Sequence, residues 1–314
     1  MRILLTGAAG FIGSHLSEKL LSLGHEVVGI DNFDPFYDRK IKESNIATAI
    51  KNTSFKLIEA DLTSTQLWET LKTEKFDSII HLAAKAGVRP SMADPIGYNN
   101  SNIMGTTHLL EYARNCGPKK VIFASSSSVY GVNKNLPWSV EDEKLQPISV
   151  YAYSKLSGEA LCRLYQKYFG LSIIGLRFFT VFGPRQRPDL AIHKFVKAID
   201  QGKTIQMFGD GKTFRDYTFI EDIVAGIVGA LNYNNSEFEL FNLGNTHTVS
   251  LMELVQTIED LMGKKATIEY LPEQPGDVPY TWSNIEKSTK LLGYNPSTGI
   301  REGIGKFIEW YRQQ

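Results

Sequence analysis

Arg2-Ile-Leu-Leu-Thr-Gly-Ala-Ala-Gly-Phe-Ile-Gly13, then an apolar helical pattern to Leu23, then Glu26-Val-Val-Gly-Ile-Asp31: this opening stretch decides the fold. Arg2 to Thr6 reads as a strand, and Gly7, Gly10 and Gly13 as a tight turn into a helix. Phe11, Ile12, Leu16, Leu20 and Leu21 line one side of that helix. Gly24 ends it, and a second strand closes on Asp31. A strand, a glycine turn, a helix, a strand and a terminal acid form the dinucleotide fingerprint in its proper context. The glycines let backbone amides reach a pyrophosphate at the positive end of the helix. Asp31 would accept from the adenosine ribose hydroxyls and repel a 2′-phosphate, which favours NAD over NADP. The spacing is GxxGxxG rather than GxGxxG, so the flanking strands and helix carry the assignment.

Working outward, strands recur at 54–60, 77–82 and 119–124, with helices near 64–73 and 96–116, and a sixth strand falls at 171–178. This alternation calls for an α/β fold, a doubly wound parallel (Rossmann) sheet covered on both faces. Ligands of such sheets bind at the carboxyl ends of the strands. Asp61-Leu62 and His81-Leu-Ala-Ala84 follow two of those ends, where Ala83 and Ala84 suit either a cofactor lying on backbone or simple close packing. Between Asn32 and Asn52 comes an insertion, Asn32-Phe-Asp-Pro-Phe-Tyr-Asp38 followed by a charged helical stretch, that reads equally well as a solvated loop or a functional one.

A further stretch carries reactive groups. Val121 to Ala124 is a buried strand, followed by Ser125 to Ser128 and Val129-Tyr-Gly131, and Tyr151-Ala-Tyr-Ser-Lys155 opens a long helix. Residues four apart share a helix face, so the Tyr151 hydroxyl and the Lys155 ammonium can share a pocket. A cation beside a phenol favours the phenolate, which makes Tyr151 a candidate general base with a strand-end serine beside it. Spacing alone also fits a surface Tyr and Lys.

Beyond Phe179 the alternation breaks. We place the first domain at 1–178, with segments near 214–243 returning to it, and a smaller mixed α/β substrate domain at 179–314. Strands are expected at 204–208 and 214–220, and helices at 221–231, 250–263, 285–292 and 300–312. Arg185, Arg187 and Arg215 fall in or beside loops, where guanidinium forks can grip phosphate or carboxylate.

The 314 residues, 42% hydrophobic and 22% charged, describe a soluble globular chain. Thirty-four basic residues balance 34 acidic ones, which gives no electrostatic reason to expect nucleic acid or an anionic membrane. Cys116 and Cys162 lie in helical patterns and the six histidines lack ligand spacing, so neither a disulfide framework nor a metal site is expected. No stretch reaches membrane-spanning length and the N-terminus does not read as a signal peptide, so a cytoplasmic location is expected.

With these residues laid out, the chain resembles the extended short-chain dehydrogenase/reductases of the nucleotide-sugar epimerase type along essentially its whole length. The motifs are Thr6–Gly13, Asp61-Leu62, His81–Ala84, Ser125–Gly131, Tyr151–Lys155, Arg177–Pro184, Arg215-Asp-Tyr217 and 275–278. The resemblance implies bound NAD, a UDP- or dTDP-sugar substrate and a homodimer built through a four-helix bundle. It implies cofactor contacts from Gly7, Gly10, Phe11, Ile12, Gly13, Asp31, Asn32, Asp61, Leu62, Leu82, Ala83, Ala84, Asn102, Tyr151 and Lys155. The catalytic set is Ser126, Tyr151 and Lys155, with Lys155 lowering the phenol's pKa. Arg215 is expected on the diphosphate and Phe208 against the base, with Arg185, Gln274 and Asp277 as further substrate contacts.

Ser126-Ser-Ser-Val-Tyr-Gly131 lacks the acid that relatives performing elimination or decarboxylation carry near its second or third place. The stretches at 32–38, 86–89, 177–184, 187–189 and 274–279 are similar to those of UDP-glucuronate 4-epimerases. Ser127, Ser128, Thr180 and Arg187 are then the candidates for holding the substrate carboxylate. Lys85 stands where Gln is usual. A UDP-glucose or UDP-N-acetylglucosamine 4-epimerase, a UDP-glucuronate decarboxylase and a non-catalytic NAD-binding regulator are the alternatives.

Overall fold

A computed structural model describes residues 1–273 and 276–314. The chain begins β1 (Arg2–Thr6), α1 (Phe11–Ser22), β2 (Glu26–Asp31), α2 (Arg39–Ile50), β3 (Phe55–Glu59), α3 (Thr65–Leu71) and β4 (Ser78–His81). Two short helices follow, α4 (Val88–Ala93) and α5 (Pro95–Asn99), then a π turn at Asn100–Met104 that runs into α6 (Gly105–Cys116). Next come β5 (Lys120–Ser126), α7 (Val150–Phe169) and β6 (Ile173–Phe178). With β10 (Phe238–Leu243) these strands form a seven-stranded sheet in the order β10-β6-β5-β4-β1-β2-β3, and every pairing is parallel.

Why the strands read as unbroken apolar runs follows from the layering, since a parallel sheet is buried on both faces. Successive side chains alternate between them. Ile3 and Leu5 of β1 point to one layer, with Leu16 and Leu20 of α1 and Ile46 of α2. Leu4 points to the other, with Leu67 of α3, Leu109 of α6 and Cys162 of α7.

The remainder supplies β7 (Thr180–Phe182), α8 (Ala191–Asp200), β8 (Thr204–Phe208), β9 (Phe214–Phe219) and α9 (Ile220–Asn232) before β10. After it come β11 (Thr248–Ser250), α10 (Leu251–Met262), β12 (Thr267–Leu271), α11 (Glu286–Leu292) and α12 (Ile300–Tyr311). β9 sits in a three-stranded sheet, β11-β9-β7, not in the main one, whereas β10 extends the main sheet beside β6. β8 and β12 form a separate parallel pair. Ile223 and Ile227 of α9 join Phe182, Phe219, Phe307 and Ile308 in the same buried cluster as the α1 face of the sheet, so one core runs through both lobes. His15 of α1 bonds the Pro184 carbonyl at 2.9 Å across that junction.

The expected helix over 96–116 is interrupted. In the π turn, Asn102 accepts from the Lys85 amide at 2.8 Å and donates to the Lys85 carbonyl at 2.9 Å. A side chain engaged outside the helix at this point accompanies the widened turn, a common signature of functional sites.

Candidate active site

The carboxyl ends of β1, β2, β4 and β5 open on a cavity of about 490 Å³. At its floor, Gly7 has φ 72, and a Cβ there would lie 2.9 Å from the Ala83 nitrogen. On Gly13 a Cβ would sit 1.9 Å from the Gly7 carbonyl oxygen, so only glycine lets α1 start this close to the strand. Gly10 caps α1 without any side-chain bond, which leaves the first-turn amides open toward the cavity.

Asp31 is buried at the end of β2. Its carboxylate accepts from the Ala9 amide at 3.1 Å and the Phe33 amide at 2.9 Å, and faces the Lys42 ammonium at 3.4 Å. Part of its acceptor capacity thus holds the glycine turn, and a buried cation neutralises it. Asn32 donates to Asp61 at 2.7 Å, and both line the cavity with Leu62, Leu82, Ala83 and Ala84.

At the other end, Ser126, Ser127, Ser128, Tyr151, Lys155, Thr180 and Arg187 line the same space. Ser149 caps α7 by accepting from the Ala152 amide at 3.1 Å, which sets the start of the helix that carries Tyr151 and Lys155. The Tyr151 ring meets Tyr98 edge-on, with centroids 6.5 Å apart. Burial raises the phenol's pKa above its usual value, and the Ser126 hydroxyl and the Arg187 charge oppose that rise. Sequence offered Lys155 as the cation beside this phenol; Arg187 is one that the spacing did not show. Lys155 donates to the Ala124 carbonyl at 2.7 Å, and burial lowers its own pKa to about 8.

Arg187 is itself paired. Its Nε and one terminal nitrogen reach the two Asp189 oxygens at 2.9 and 2.7 Å, and its guanidinium lies over Phe36 at 5.1 Å. Phe36, Tyr37 and Asp34 put the 32–38 stretch on the cavity wall, while Asn32, Pro35, Phe36 and Asp38 stay exposed. Lys85 ties that wall down, with its ammonium 2.9 Å from Asp94 and 3.8 Å from Asp34.

Several expected contacts fall elsewhere. Asn102 does not line the cavity and spends its amide on Lys85 and on Ser154 at 2.9 Å, which helps hold the site together. Arg185 has left-handed backbone (φ 65) that turns its side chain onto Glu18 of α1 at 2.8 Å, away from the site. Arg215 and Asp277 line a smaller adjoining cavity of about 190 Å³, which shares Ser127, Ser128 and Thr180 with the first. Asp277 is held by Arg89 at 2.6 Å, and the Arg89 guanidinium lies 4.4 Å over the Phe208 ring, so Phe208 lines neither cavity. Gln274 is outside the described residues.

Sequence reasoning missed Lys42, Tyr98, Arg89 and Asp189 as parts of the site. Arg89 and Asp189 stood within quoted stretches. Lys42 and Tyr98 carried no signal, because their partners lie in other elements or beyond a turn.

The family model described as the NAD dependent epimerase/dehydratase family matches residues 3–244. The chain is 41% identical to UDP-glucuronate 4-epimerase 2 of Arabidopsis thaliana, covering 98% of this chain and 75% of that one. A probable UDP-glucuronate 4-epimerase of Rhizobium meliloti is 38% identical, over 100% and 97% of the two chains. Among solved structures, the UDP-glucuronic acid 4-epimerase of Bacillus cereus, determined with UDP-glucuronic acid and NAD, superposes with a TM-score of 0.94 at 39% identity, covering 100% of this chain and 99% of that one.

Proposed function

The chain belongs to the NAD-dependent epimerase/dehydratase family, and from that premise we propose that it interconverts UDP-glucuronate and UDP-galacturonate by inverting C4 of the sugar. The observation that carries this reading is the reactive end of the cavity. One tyrosine hydroxyl faces a strand-end serine, with further hydroxyls and a guanidinium around them, while the Asp189 carboxylate is spent on that guanidinium and Asp34 faces Lys85. A site so built can move a proton on an alcohol but offers no carboxylate base for the sugar C5.

The residues present fit NAD. Open amides at the start of α1 and the glycine floor suit the pyrophosphate, and Asp31, Asn32 and Lys42 surround a place for the adenosine ribose. NAD would supply the acceptor that takes a hydride from C4 and returns it. Tyr151 takes the hydroxyl proton and gives it back, Ser126 holds the same oxygen, and Lys155 positions the nicotinamide ribose. Arg215, which lines the adjoining cavity, suits the diphosphate.

The 4-keto form of a glucuronate is a β-keto acid, prone to lose CO₂. Ser127, Ser128, Thr180 and Arg187 therefore have to hold the carboxylate out of alignment with the ketone. A homodimer is part of the proposal. Tyr153, Leu164 and Tyr168 form an exposed stripe on α7, with exposed Met104 at the start of α6. So is a cytoplasmic location; no described helix is long and apolar enough to cross a membrane.

The test is turnover of a panel of UDP-sugars followed by proton NMR. UDP-glucuronate should be epimerised far faster than UDP-glucose or UDP-N-acetylglucosamine, without accumulation of a pentose. Equal rates for the neutral sugars would replace this reading with that of a hexose epimerase.

A further inference from the structure

Arg187 enters the cavity with half of its fork already taken. Its Nε and one terminal nitrogen are held by Asp189 side-on, at 2.9 and 2.7 Å, and that terminal nitrogen also reaches the Ala86 carbonyl at 3.3 Å. Among the described residues, nothing bonds the other terminal nitrogen, and it is not a sealed-off buried atom. The pair is built in locally. Pro188 between the two residues fixes φ, and the Leu190 amide closes a turn on the Arg187 carbonyl at 3.2 Å. The Arg187 and Asp189 side chains are 15% and 31% exposed, so solvent screens them weakly.

We propose that Asp189 is a specificity-determining residue that acts through Arg187. It occupies one of the guanidinium's two bidentate edges, and with the Ala86 carbonyl on the shared nitrogen it leaves the other terminal nitrogen for the contact with an anionic group on the sugar. The inference rests on the reading of the substrate as a uronate. A bidentate arginine–carboxylate pair is the strong, geometrically fixed arrangement, and a monodentate contact is weaker. Inverting C4 requires the oxidised sugar to turn over within the site before reduction. A group that clamped the carboxylate with its full fork would oppose that turn and hold the product. With Asp189 on the fork, the carboxylate is steered by the hydroxyls of Ser127, Ser128 and Thr180 and only touched by Arg187. A second consequence follows for neutral sugars: Arg187 is not left without an anion when one binds, so their exclusion cannot come from an orphaned guanidinium.

The test compares wild type, Asp189→Asn and Asp189→Glu, all loaded with NAD. Calorimetry gives Kd for UDP-glucuronate and UDP-glucose, and steady-state kinetics gives KM and kcat for epimerisation. Asp189→Asn is close in size but removes the charge and puts an NH2 donor in place of one of the two acceptor oxygens, so it gives up one of the two bonds that hold the fork. It should tighten UDP-glucuronate binding on the order of tenfold, leave UDP-glucose within about twofold, and lower kcat for the uronate. Asp189→Glu, which keeps the charge, should stay near wild type. Equal changes in Kd for both sugars would mark a structural role and overturn the proposal, as would unchanged or weaker binding of the uronate. Because Kd is read apart from turnover, a wild type that epimerises UDP-glucose as fast as UDP-glucuronate would defeat the uronate reading and leave the Asp189 result to be judged by itself.

Discussion

His81 is the residue on which the cavity wall hangs. The Ala83 amide donates to the Thr6 hydroxyl at 3.2 Å, and Thr6 faces His81 Nδ1 at 2.7 Å. On the other side, His81 Nε2 faces the Thr106 hydroxyl at 3.0 Å, and Thr106 donates to the Asn102 carbonyl. With both hydroxyls so committed, only the neutral ring with its proton on Nε2 satisfies the chain. Burial lowers the His81 pKa from 6.5 to about 3, and that of His15 to about 4. Below pH 6.5 the unfolded chain takes up protons that the native state refuses, so stability falls as pH falls from 6.5 toward 3. Each such histidine gives a slope of at most about 1.4 kcal/mol per pH unit. Urea unfolding between about pH 7.5 and about pH 5.5 should show the loss, and His81→Gln should have a shallower slope; an unchanged slope would remove His81 as its source. Tyr151→Phe should keep the fold and NAD binding while losing roughly 10²–10⁴ in rate. Near wild-type turnover would place the base elsewhere; neighbouring Tyr153 is exposed on the outer face of α7. The glycine turn, Asp31, Ser126, Tyr151 and Lys155 were legible because their chemistry depends on local order. The Arg187 charge near Tyr151 was not, since only the folding of the loop after β7 brings it to the cavity.

At the scale of elements, α7 is locked to the sheet by a buried ion pair. Glu159, one turn beyond Lys155, takes both Arg177 contacts, at 2.9 and 2.7 Å, and the Ser125 hydroxyl at 2.5 Å. Arg177 of β6 lies over the Tyr130 ring at 4.8 Å. This lock fixes the end of β5, with Ser126, against the helix that carries Tyr151 and Lys155. Glu159→Gln should cost about 3–5 kcal/mol, because it leaves a buried guanidinium without its charge partner. Replacing both partners by apolar residues, as in Glu159→Leu with Arg177→Met, should lose much less. Denaturant unfolding of the three proteins decides it, and a single variant within about 1 kcal/mol of wild type would show that the pair carries no such weight. The sequence displayed Arg177 inside an apolar run and Glu159 on a helix, but nothing local joins them. The same limit applies to the elements. The parallel strands and long helices were readable from their periodicity, whereas β7, α8, β11 and β12 are set by tertiary packing after the alternation ends.

For the whole molecule, the deciding fact is that one buried cluster spans Leu5 and Leu16 near the glycine turn and Phe219, Ile304 and Phe307 of the far lobe. We therefore expect the two lobes to unfold together. Trp68, packed against Tyr112 below the sheet, and Trp310, against Phe307 in the last helix, are placed to report on each lobe separately. Variants retaining one of these tryptophans should give coincident thermal transitions. Binding then adds a linkage. A ligand held only by the native state stabilises it by RT ln(1 + [L]/Kd), about 2.7 kcal/mol at a hundredfold excess over Kd. NAD touches β1, β2, β4 and α1 in the proposed site, yet through the shared core it should raise both tryptophan midpoints by the same several degrees. NADP at the same concentration should raise neither appreciably, because in the proposed site the Asp31 carboxylate would repel its extra phosphate. The Lys42 ammonium at 3.4 Å softens that repulsion, so Lys42→Met should sharpen the preference for NAD rather than weaken it. A shift confined to Trp68 would mean that the lobes melt independently, and an equal shift with NADP would mean that Lys42, not Asp31, governs the ribose end.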